Sequence, residues 1–275
     1  SLIFLTIERS YPTSWKKIPE EISFYLLLFN FHGFVIFVFF NVSHFVLQKD
    51  LVLDALDREH SKTMEARQLS DKLLLNILPL KIAERLKLKE EYIVDDFANV
   101  SVLFADIVGF TKISETLTPE KLVEILNRIF VEFDYITERN GLEKIKTIGD
   151  AYMAAAGIPE IHAEHAIACV KSALEMNKFI KNDPFLQNIQ LELRIGIHSG
   201  AVVAGVIGKN KFAYDLWGDA VNTASRMESH GSPGEIQITK SVKDSIGDRF
   251  VLEERGLVNV KGKGMVETYF VKGYS

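Results

Sequence analysis

The chain has 275 residues, a formal net charge of −5 and a single cysteine, which is enough for one sizeable domain with additional elements. With 32 basic and 37 acidic residues, it has no excess of positive charge for nucleic acid, and no nucleic-acid partner is expected. One cysteine excludes an internal disulfide framework and is compatible with a reducing compartment. Because the chain starts with Ser1 inside an apolar run, we expect it to be part of a longer protein.

An apolar segment near the start of the chain predicts a membrane-spanning helix. Residues 22–47 contain no Asp, Glu, Lys or Arg, and at about 1.5 Å per helical residue they can cross a bilayer core of about 30 Å. A buried helix of a soluble protein is the alternative, but 26 uncharged residues exceed an ordinary core helix. We interpret residues 1–47 as a membrane segment, in which residues 2–7 end a preceding span and residues 8–21 form an external loop.

A charged connector follows at residues 48–94 and is predicted to be helical. Residues 48–72 contain no Gly or Pro and many charged residues together with Ala, Leu and Met. A heptad register can be placed on Leu53, Leu56, His60, Thr63, Arg67, Ser70, Leu74 and Ile77. The centre of this register is polar, which predicts a weak coiled coil; a solvated single helix is the alternative. Pro79 is expected to end one helix near Leu78 and to start another.

Residues 95–275 alternate between strand and helix patterns and are predicted to form one domain. The first strand is predicted at residues 100–104, and Thr118 and Pro119 are typical of the N-cap and first position of the next helix. The remaining elements are predicted as strands at 142–147, 152–156, 191–197, 202–207 and 212–216, a helix at 163–180 and a helix capped by Asp219. The strand-helix-strand-strand-helix-strand order is that of a ferredoxin-like α+β sandwich.

Two aspartates are placed to bind divalent cations. Asp106 stands at the end of the first strand, and Asp150 lies at the tip of the hairpin formed by the next two strands. Mg²⁺ needs few protein carboxylates when substrate phosphates complete its coordination, so two Asp residues are sufficient. Taken singly, each Asp also suits a strand end or a turn, which is the structural alternative.

A glycine-containing turn follows the first of these aspartates. Gly109, Phe110 and Thr111 lead towards the next helix, and free backbone N–H groups in such a turn attract phosphate. The chain contains no Gly-x-x-x-x-Gly-Lys-Ser/Thr motif, so a P-loop enzyme is not supported.

Four strings in a fixed order carry a family resemblance: FADIVGFT at 104–111, KIKTIGD at 144–150, YDLWG at 214–218 and NTASR at 222–226. Together they resemble the catalytic domain of class III nucleotidyl cyclases, of the adenylyl type, over roughly residues 95–273. The resemblance implies a palm-type core of the ferredoxin-like class and two divalent metal ions, Mg²⁺ or Mn²⁺. It also implies their ligands, which are Asp106, Asp150 and the backbone carbonyl of Ile107.

The resemblance implies conversion of ATP into 3′,5′-cyclic AMP and pyrophosphate, by attack of the ribose 3′-hydroxyl on the α-phosphorus. Asn222 and Arg226 are four residues apart on a predicted helix and share one face. They match the family pair that orients the ribose and stabilises charge on phosphorus; a solvated surface helix is the alternative. Lys261 matches the triphosphate-binding Lys of the family, although the sequence does not distinguish it from Lys263. Ala201 stands where mammalian catalytic halves with the metal Asp carry an Arg.

The nature of the base is indicated by Lys146 and Asp215. Adenine has an acceptor at N1 and a donor at N6, which match a Lys that only donates and an Asp that only accepts. Guanine has the opposite polarity, and unpaired buried polar groups cost roughly 1–3 kcal/mol each. Guanylyl cyclases resemble this chain but carry Glu and typically Cys at these two positions, so ATP is the predicted substrate.

The presence of all these residues in one chain predicts a homodimer. In the family, the metal aspartates come from one catalytic domain and the Lys, Asp, Asn and Arg come from the other. A chain with both sets is therefore expected to form two equivalent sites about a twofold axis. Since ATP is cytosolic, we expect a cytoplasmic catalytic domain, a multi-pass cell-membrane protein and the lipid bilayer as a partner. A guanylyl cyclase and a cyclase-like receptor module without activity are the alternatives.

Overall fold

The computed structural model describes residues 19–90, 92–208 and 211–275. These residues belong to two compact units, which are divided after Asp71. The predicted preceding span and most of the predicted external loop lie outside the described residues.

A single long helix, α1 (Glu20–Leu75), accounts for nearly all of the described part of the first unit. It runs without interruption through the predicted span and the first part of the connector, and none of its residues is buried. An 18-residue window reaches a mean hydropathy of 2.0, so by length and composition the helix can cross a membrane. Exposed apolar surface costs about 25 cal/mol per Å² in water. This helix therefore needs a cover that the described residues do not supply.

The helix break near Pro79 is confirmed, although α1 ends at Leu75 rather than near Leu78. Pro79 has φ −56° and ψ 147°, and helix α2 (Leu80–Lys87) begins directly after it. This backbone conformation is the extended one that proline favours, and the missing N–H costs nothing at a helix start. Ile82 and Ala83 of α2 are buried in the second unit.

An eight-stranded sheet organises the second unit. Its strands are β1 (Val94–Ile107), β2 (Glu143–Ile148), β3 (Ala151–Ala156), β4 (Leu193–Ile207), β5 (Ala213–Trp217), β6 (Ile236–Thr239), β7 (Phe250–Val260) and β8 (Gly264–Tyr274). The helices are α3 (Phe110–Ser114), α4 (Pro119–Arg139), α5 (His165–Asn182), α6 (Asp219–Ser229) and α7 (Lys240–Ile246), with 3₁₀ turns at Gln187–Ile189 and Gly247–Arg249.

The strand order is β2-β3-β1-β4-β6-β8-β7, and β5 pairs with β4. Neighbours among the first four strands of this order are antiparallel, and α4 and α5 form the two crossovers. This is the ferredoxin-like arrangement, which confirms the predicted α+β class.

Each face of the sheet has its own apolar core. Successive side chains of β1 point to opposite faces. Leu103 and Ile107 pack with α4 and α5, whereas Val102 and Phe104 pack with α2, β5 and α6. Asp106 continues the second series, so its carboxylate lies on the α6 face at the end of the strand.

The prediction of separate strands at 191–197 and 202–207 is wrong, because β4 continues through the polar residues between them. His198 and Ser199 pair with Val102 and Ser101 of β1 in the same ladder. The Ser199 Oγ lies 2.6 Å from the Ser101 Oγ, and the His198 Nδ1 lies 2.8 Å from the Thr239 Oγ1. Since neighbouring side chains satisfy these polar groups, they do not interrupt the strand.

The starts of two helices show how far local sequence fixes their boundaries. Thr118 is the N-cap of α4, and its Oγ1 accepts a hydrogen bond from the Lys121 N–H at 3.3 Å, as predicted. Asp219 was predicted to cap α6, but it is the first helical residue, and Gly218 precedes it with φ +140°. This positive φ favours glycine, which has no Cβ.

Candidate active site

Two carboxylates converge at one end of the central strands. Asp106 is the penultimate residue of β1 and pairs with Ala151 of β3, directly after Asp150. Asp150 follows Gly149, whose φ of +64° makes the tight turn between β2 and β3. Burial raises the pKa of Asp150, and the nearby negative charge of Asp106 raises it further. The structure therefore brings the two predicted metal ligands together.

This donor set fits a divalent cation. Two carboxylates close enough to raise a pKa repel each other, and a bound cation would relieve this repulsion. Ile107 has its side chain buried in the core on the α4–α5 face, so only its backbone carbonyl can be offered as a ligand. Among the described residues, no group of three or more His, Cys, Asp and Glu side chains is placed to hold a metal. A metal here would rely on these few ligands and on substrate phosphates, as Mg²⁺ commonly does.

A half-buried arginine beside Asp106 was not among the predicted site residues. Arg194 lies opposite Asp106 in the β1–β4 ladder, and its Nη2 donates to the Asp106 Oδ2 at 2.7 Å. The Nε of Arg194 lies 3.3 Å from the Oε1 of Glu228, at the inner face of α6. Burial and the charge of Asp106 raise the pKa of Glu228 to about 7. The sequence signal for this residue was an Arg within the predicted strand at 191–197, but the identity of its partner depends on strand register.

Lys146 and Asp215, the two residues predicted to recognise the base, form an ion pair with each other. Lys146 on β2 donates through its Nζ to the Asp215 Oδ2 on β5 at 2.5 Å. The other oxygen of Asp215 accepts the backbone N–H of Leu216 at 2.9 Å, which fixes the carboxylate plane. The side chain of Asp215 is 15% exposed and that of Lys146 is 41% exposed. A base can therefore approach this pair from the lysine side.

Helix α6 presents Asn222 and Arg226 on its exposed face. Its inner face buries Ala220, Thr223, Ala224, Met227 and Glu228. The helix lies directly on β4 at Gly196, where an added Cβ would be 2.0 Å from the backbone nitrogen of Glu228. Because no side chain larger than hydrogen fits there, Gly196 sets the height of α6 above the sheet. The predicted pair thus shares one face and points away from the protomer core.

The remaining predicted substrate-binding residues lie in two turns. Gly109 has φ +71° and is the N-cap of α3, and Thr111 is exposed while Phe110 packs against the core on the α4–α5 face. Lys261 is exposed in the turn between β7 and β8. Lys263 in the same turn pairs with the Asp219 Oδ2 at 2.5 Å. The structure thus separates the two lysines: Lys263 is tied to α6, and Lys261 has no hydrogen-bond or ion-pair partner within the described residues.

The site residues form three groups in one chain: the two aspartates, the Lys146–Asp215 pair, and the Asn222–Arg226 pair. Among the described residues, no hydrogen bond or ion pair joins one of these groups to another. The described part of a single chain thus carries these residues in three groups that make no direct polar contact with one another.

Known proteins resemble the same part of the chain. A model of the adenylate and guanylate cyclase catalytic domain matches residues 93–273. An adenylate cyclase of Mycobacterium tuberculosis (strain ATCC 25618 / H37Rv) is 46% identical over 205 residues, which is 74% of this chain and 46% of that protein. The receptor-type guanylate cyclase gcy-13 of Caenorhabditis elegans is 39% identical over 226 residues, which is 80% of this chain and 22% of that protein.

A solved structure agrees with these sequence relatives. The guanylate cyclase domain of RhGC from Catenaria anguillulae, solved in complex with GTP, has a TM-score of 0.64 and 39% identity, and the match covers 66% of this chain and 100% of that one. The family match includes every predicted site residue and more than half of the chain. The chain therefore belongs to the class III adenylate and guanylate cyclase family. It spans less than half the length of the two sequence relatives.

Proposed function

We propose that this chain is the membrane-anchored catalytic part of an adenylyl cyclase, which converts ATP into 3′,5′-cyclic AMP and pyrophosphate at a homodimer interface. The observation that carries the proposal is the convergence of Asp106 and Asp150 at adjacent strand ends. An inactive cyclase-like module would have no need to keep two repelling carboxylates together with Asn222 and Arg226.

The two aspartates and the Ile107 carbonyl would hold two divalent ions, Mg²⁺ or Mn²⁺. When bound, such ions lower the pKa of an attacking hydroxyl and neutralise charge that develops on phosphorus. Arg226 donates to the phosphate oxygens that gain charge, and Asn222 orients the ribose. Lys261 and the backbone of residues 109–111 bind the triphosphate.

The preference for ATP rests on the Lys146–Asp215 pair. The two groups lie 2.5 Å apart, so a donor and an acceptor stand side by side and can meet one adenine edge together. Adenine N1 then accepts from Lys146, and its N6 amino group donates to Asp215. The adenylate cyclase of M. tuberculosis supports this choice, and the similar receptor-type guanylate cyclases make GTP the second candidate substrate.

The separation of the three groups supports the proposed homodimer. Asn222 and Arg226 face outward on α6, where they are available to a second protomer. In the proposed C2 dimer, each site takes its aspartates from one chain and Lys146, Asp215, Asn222 and Arg226 from the other.

The membrane anchor is proposed for residues 22–47 of α1. This stretch is exposed along its whole length apart from the half-buried Ser43, and lipid is a cover that suits uncharged apolar side chains. Residues 48–75 would then form a parallel helical stalk on the cytoplasmic side. With its polar centre at His60, Thr63, Arg67 and Ser70, the stalk pairs only weakly.

A direct assay tests the proposal. The full chain, reconstituted in lipid, is supplied with ATP or GTP and with Mg²⁺ or Mn²⁺, and cyclic AMP and cyclic GMP are measured. We expect cyclic AMP from ATP, dependent on the metal, and little cyclic GMP. Cyclic GMP as the main product would identify a guanylyl cyclase, and nucleotide binding without either product would identify an inactive module.

A further inference from the structure

A network of three charged residues crosses the core beneath the candidate metal site. It begins at Asp106 on β1, continues through Arg194 on β4, and ends at Glu228 on α6, with separations of 2.7 and 3.3 Å. The side chains of Asp106 and Glu228 are 17% and 11% exposed, so solvent screens the charges of this network only weakly. The Arg194 Nε and the Glu228 Oε1 make no hydrogen bond within the described residues, so their contact is an ion pair alone. Arg194 is thus shared between a metal ligand and a helix.

Helix α6, which lies at the end of this network, carries different residues on its two faces. Glu228 and Arg226 are two positions apart, which is about 200° around an α-helix. Glu228 points into the core, and Arg226 points outward. At Gly196 an added Cβ would meet the Glu228 nitrogen at 2.0 Å. This end of α6 is therefore packed tightly against β4. Because Glu228 lies in this tightly packed turn, a shift of Arg194 would reach the turn that holds Arg226 through the Arg194–Glu228 ion pair.

We infer that Arg194 and Glu228 are positioning residues that couple the two active sites of the dimer. The inference rests on the proposed homodimer, in which the Asp106 and the Arg226 of one chain serve different sites. A cation bound by Asp106 would weaken the Asp106–Arg194 ion pair, and Arg194 would then pair more strongly with Glu228 and shift α6. Metal loading of one site thereby adjusts the transition-state residues of the other site.

The first test measures α6 itself and requires no catalysis. Amide hydrogen exchange of residues 219–230 is followed in the full chain while Mn²⁺ is titrated and its binding is measured by paramagnetic resonance. In wild type, Mn²⁺ should change exchange in the last turn of α6. Arg194→Met and the isosteric Glu228→Gln should remove this response. The control is Arg249→Met, which removes an exposed Arg249–Glu164 pair at 2.6 Å.

The outcomes of this test separate the inference from the proposed function. If wild type binds no Mn²⁺, the metal site of the proposed function fails. If wild type binds Mn²⁺ but α6 does not respond, or responds equally in Glu228→Gln, the coupling is wrong. Arg194→Lys keeps the charge and should restore part of the response if Arg194→Met alone fails to fold.

The second test uses heterodimers with one intact site. A chain with Asp150→Ala and a chain with Arg226→Ala are each inactive as homodimers, but together they form one site without lesions. Adding Arg194→Met to the Arg226→Ala chain should lower the Mn²⁺ requirement of that site by about 5- to 150-fold, because the cation no longer competes with the guanidinium for Asp106. Adding it to the Asp150→Ala chain should lower kcat by about tenfold without changing the Mn²⁺ requirement. No loss of kcat in the second case would overturn the coupling, whereas an inactive parent heterodimer would overturn the shared site.

Discussion

Helix α1 and the catalytic unit contrast in what covers their apolar side chains. Over Glu20–Leu75 no residue is buried, although the first part of the helix is as apolar as a protein core. In residues 72–275, two apolar clusters cover both faces of one sheet. The catalytic unit thus buries its own apolar core, whereas no described residue covers the apolar side chains of α1. We expect changes in the two regions to act differently, through chemistry in one and through association in the other.

The largest effect is expected at the metal carboxylates. Asp106→Ala or Asp150→Ala should lower cyclase activity by about a thousandfold or more, because bound metal ions contribute several kcal/mol to the transition state. Neither change removes core packing, so size-exclusion chromatography should show an unchanged assembly. Glu160→Ala is the control, since this glutamate is exposed and, within the part of the chain that the structure describes, pairs only with Lys81. Activity retained in both Asp variants would contradict the assignment.

Base selection should change by a smaller factor. Lys146→Glu combined with Asp215→Cys should lower ATP use and admit some GTP, because the donor and acceptor pattern then suits guanine. Each mismatched polar contact is worth about 1–3 kcal/mol, so the product ratio at equal ATP and GTP should move by about ten- to a hundredfold. Lys144 on the same strand pairs with Asp134 rather than Asp215, so Lys144→Glu should leave the ratio unchanged. A persistent ATP preference in the double variant would mean that other contacts select the base.

In the stalk, we expect a change of regulation without loss of chemistry. Replacing Thr63, Arg67 and Ser70 by Leu should strengthen helix pairing and hold one register, so that basal activity shifts severalfold in either direction. Inserting one Ala before Leu73 should also shift it, because the insertion rotates the preceding helix by about 100°. The same leucines at the exposed, off-register positions Lys62, Glu65 and Gln68 serve as the control. A stalk that only tethers would show wild-type activity in all three variants.

The smallest effect concerns stability and pH. Burial raises the pKa of Glu143 to about 7, above its ordinary value near 4.3. The folded state therefore holds a proton that the unfolded state has lost, and its stability falls as pH rises from about 4.3 to 7. Glu143→Gln should raise the free energy of unfolding at pH 8 by about 1–3 kcal/mol and change it little at pH 4. Equal effects at both values would show that Glu143 does not ionise in this range.

The sequence predicted local features better than distant partners. The Thr118 cap, the break at Pro79 and the hairpin turn before Asp150 depend on neighbouring residues, and the structure has all three. The continuation of β4 through His198 was missed because its hydrogen-bond partners lie on other strands. Arg194 was missed for the same reason, since register alone places it opposite Asp106. Lys146 and Asp215 were found through the family resemblance, and their contact across 69 positions came only from the structure.

The shared active site is the central claim, and complementation tests it most directly. Asp106→Ala and Arg226→Ala chains, each inactive alone, are mixed in lipid, and heterodimers are isolated by two affinity tags and identified by mass. One site then carries both lesions and the other carries neither, so activity should return to about half of wild type per dimer. Heterodimers that remain inactive would place both residues in the same site and contradict the account.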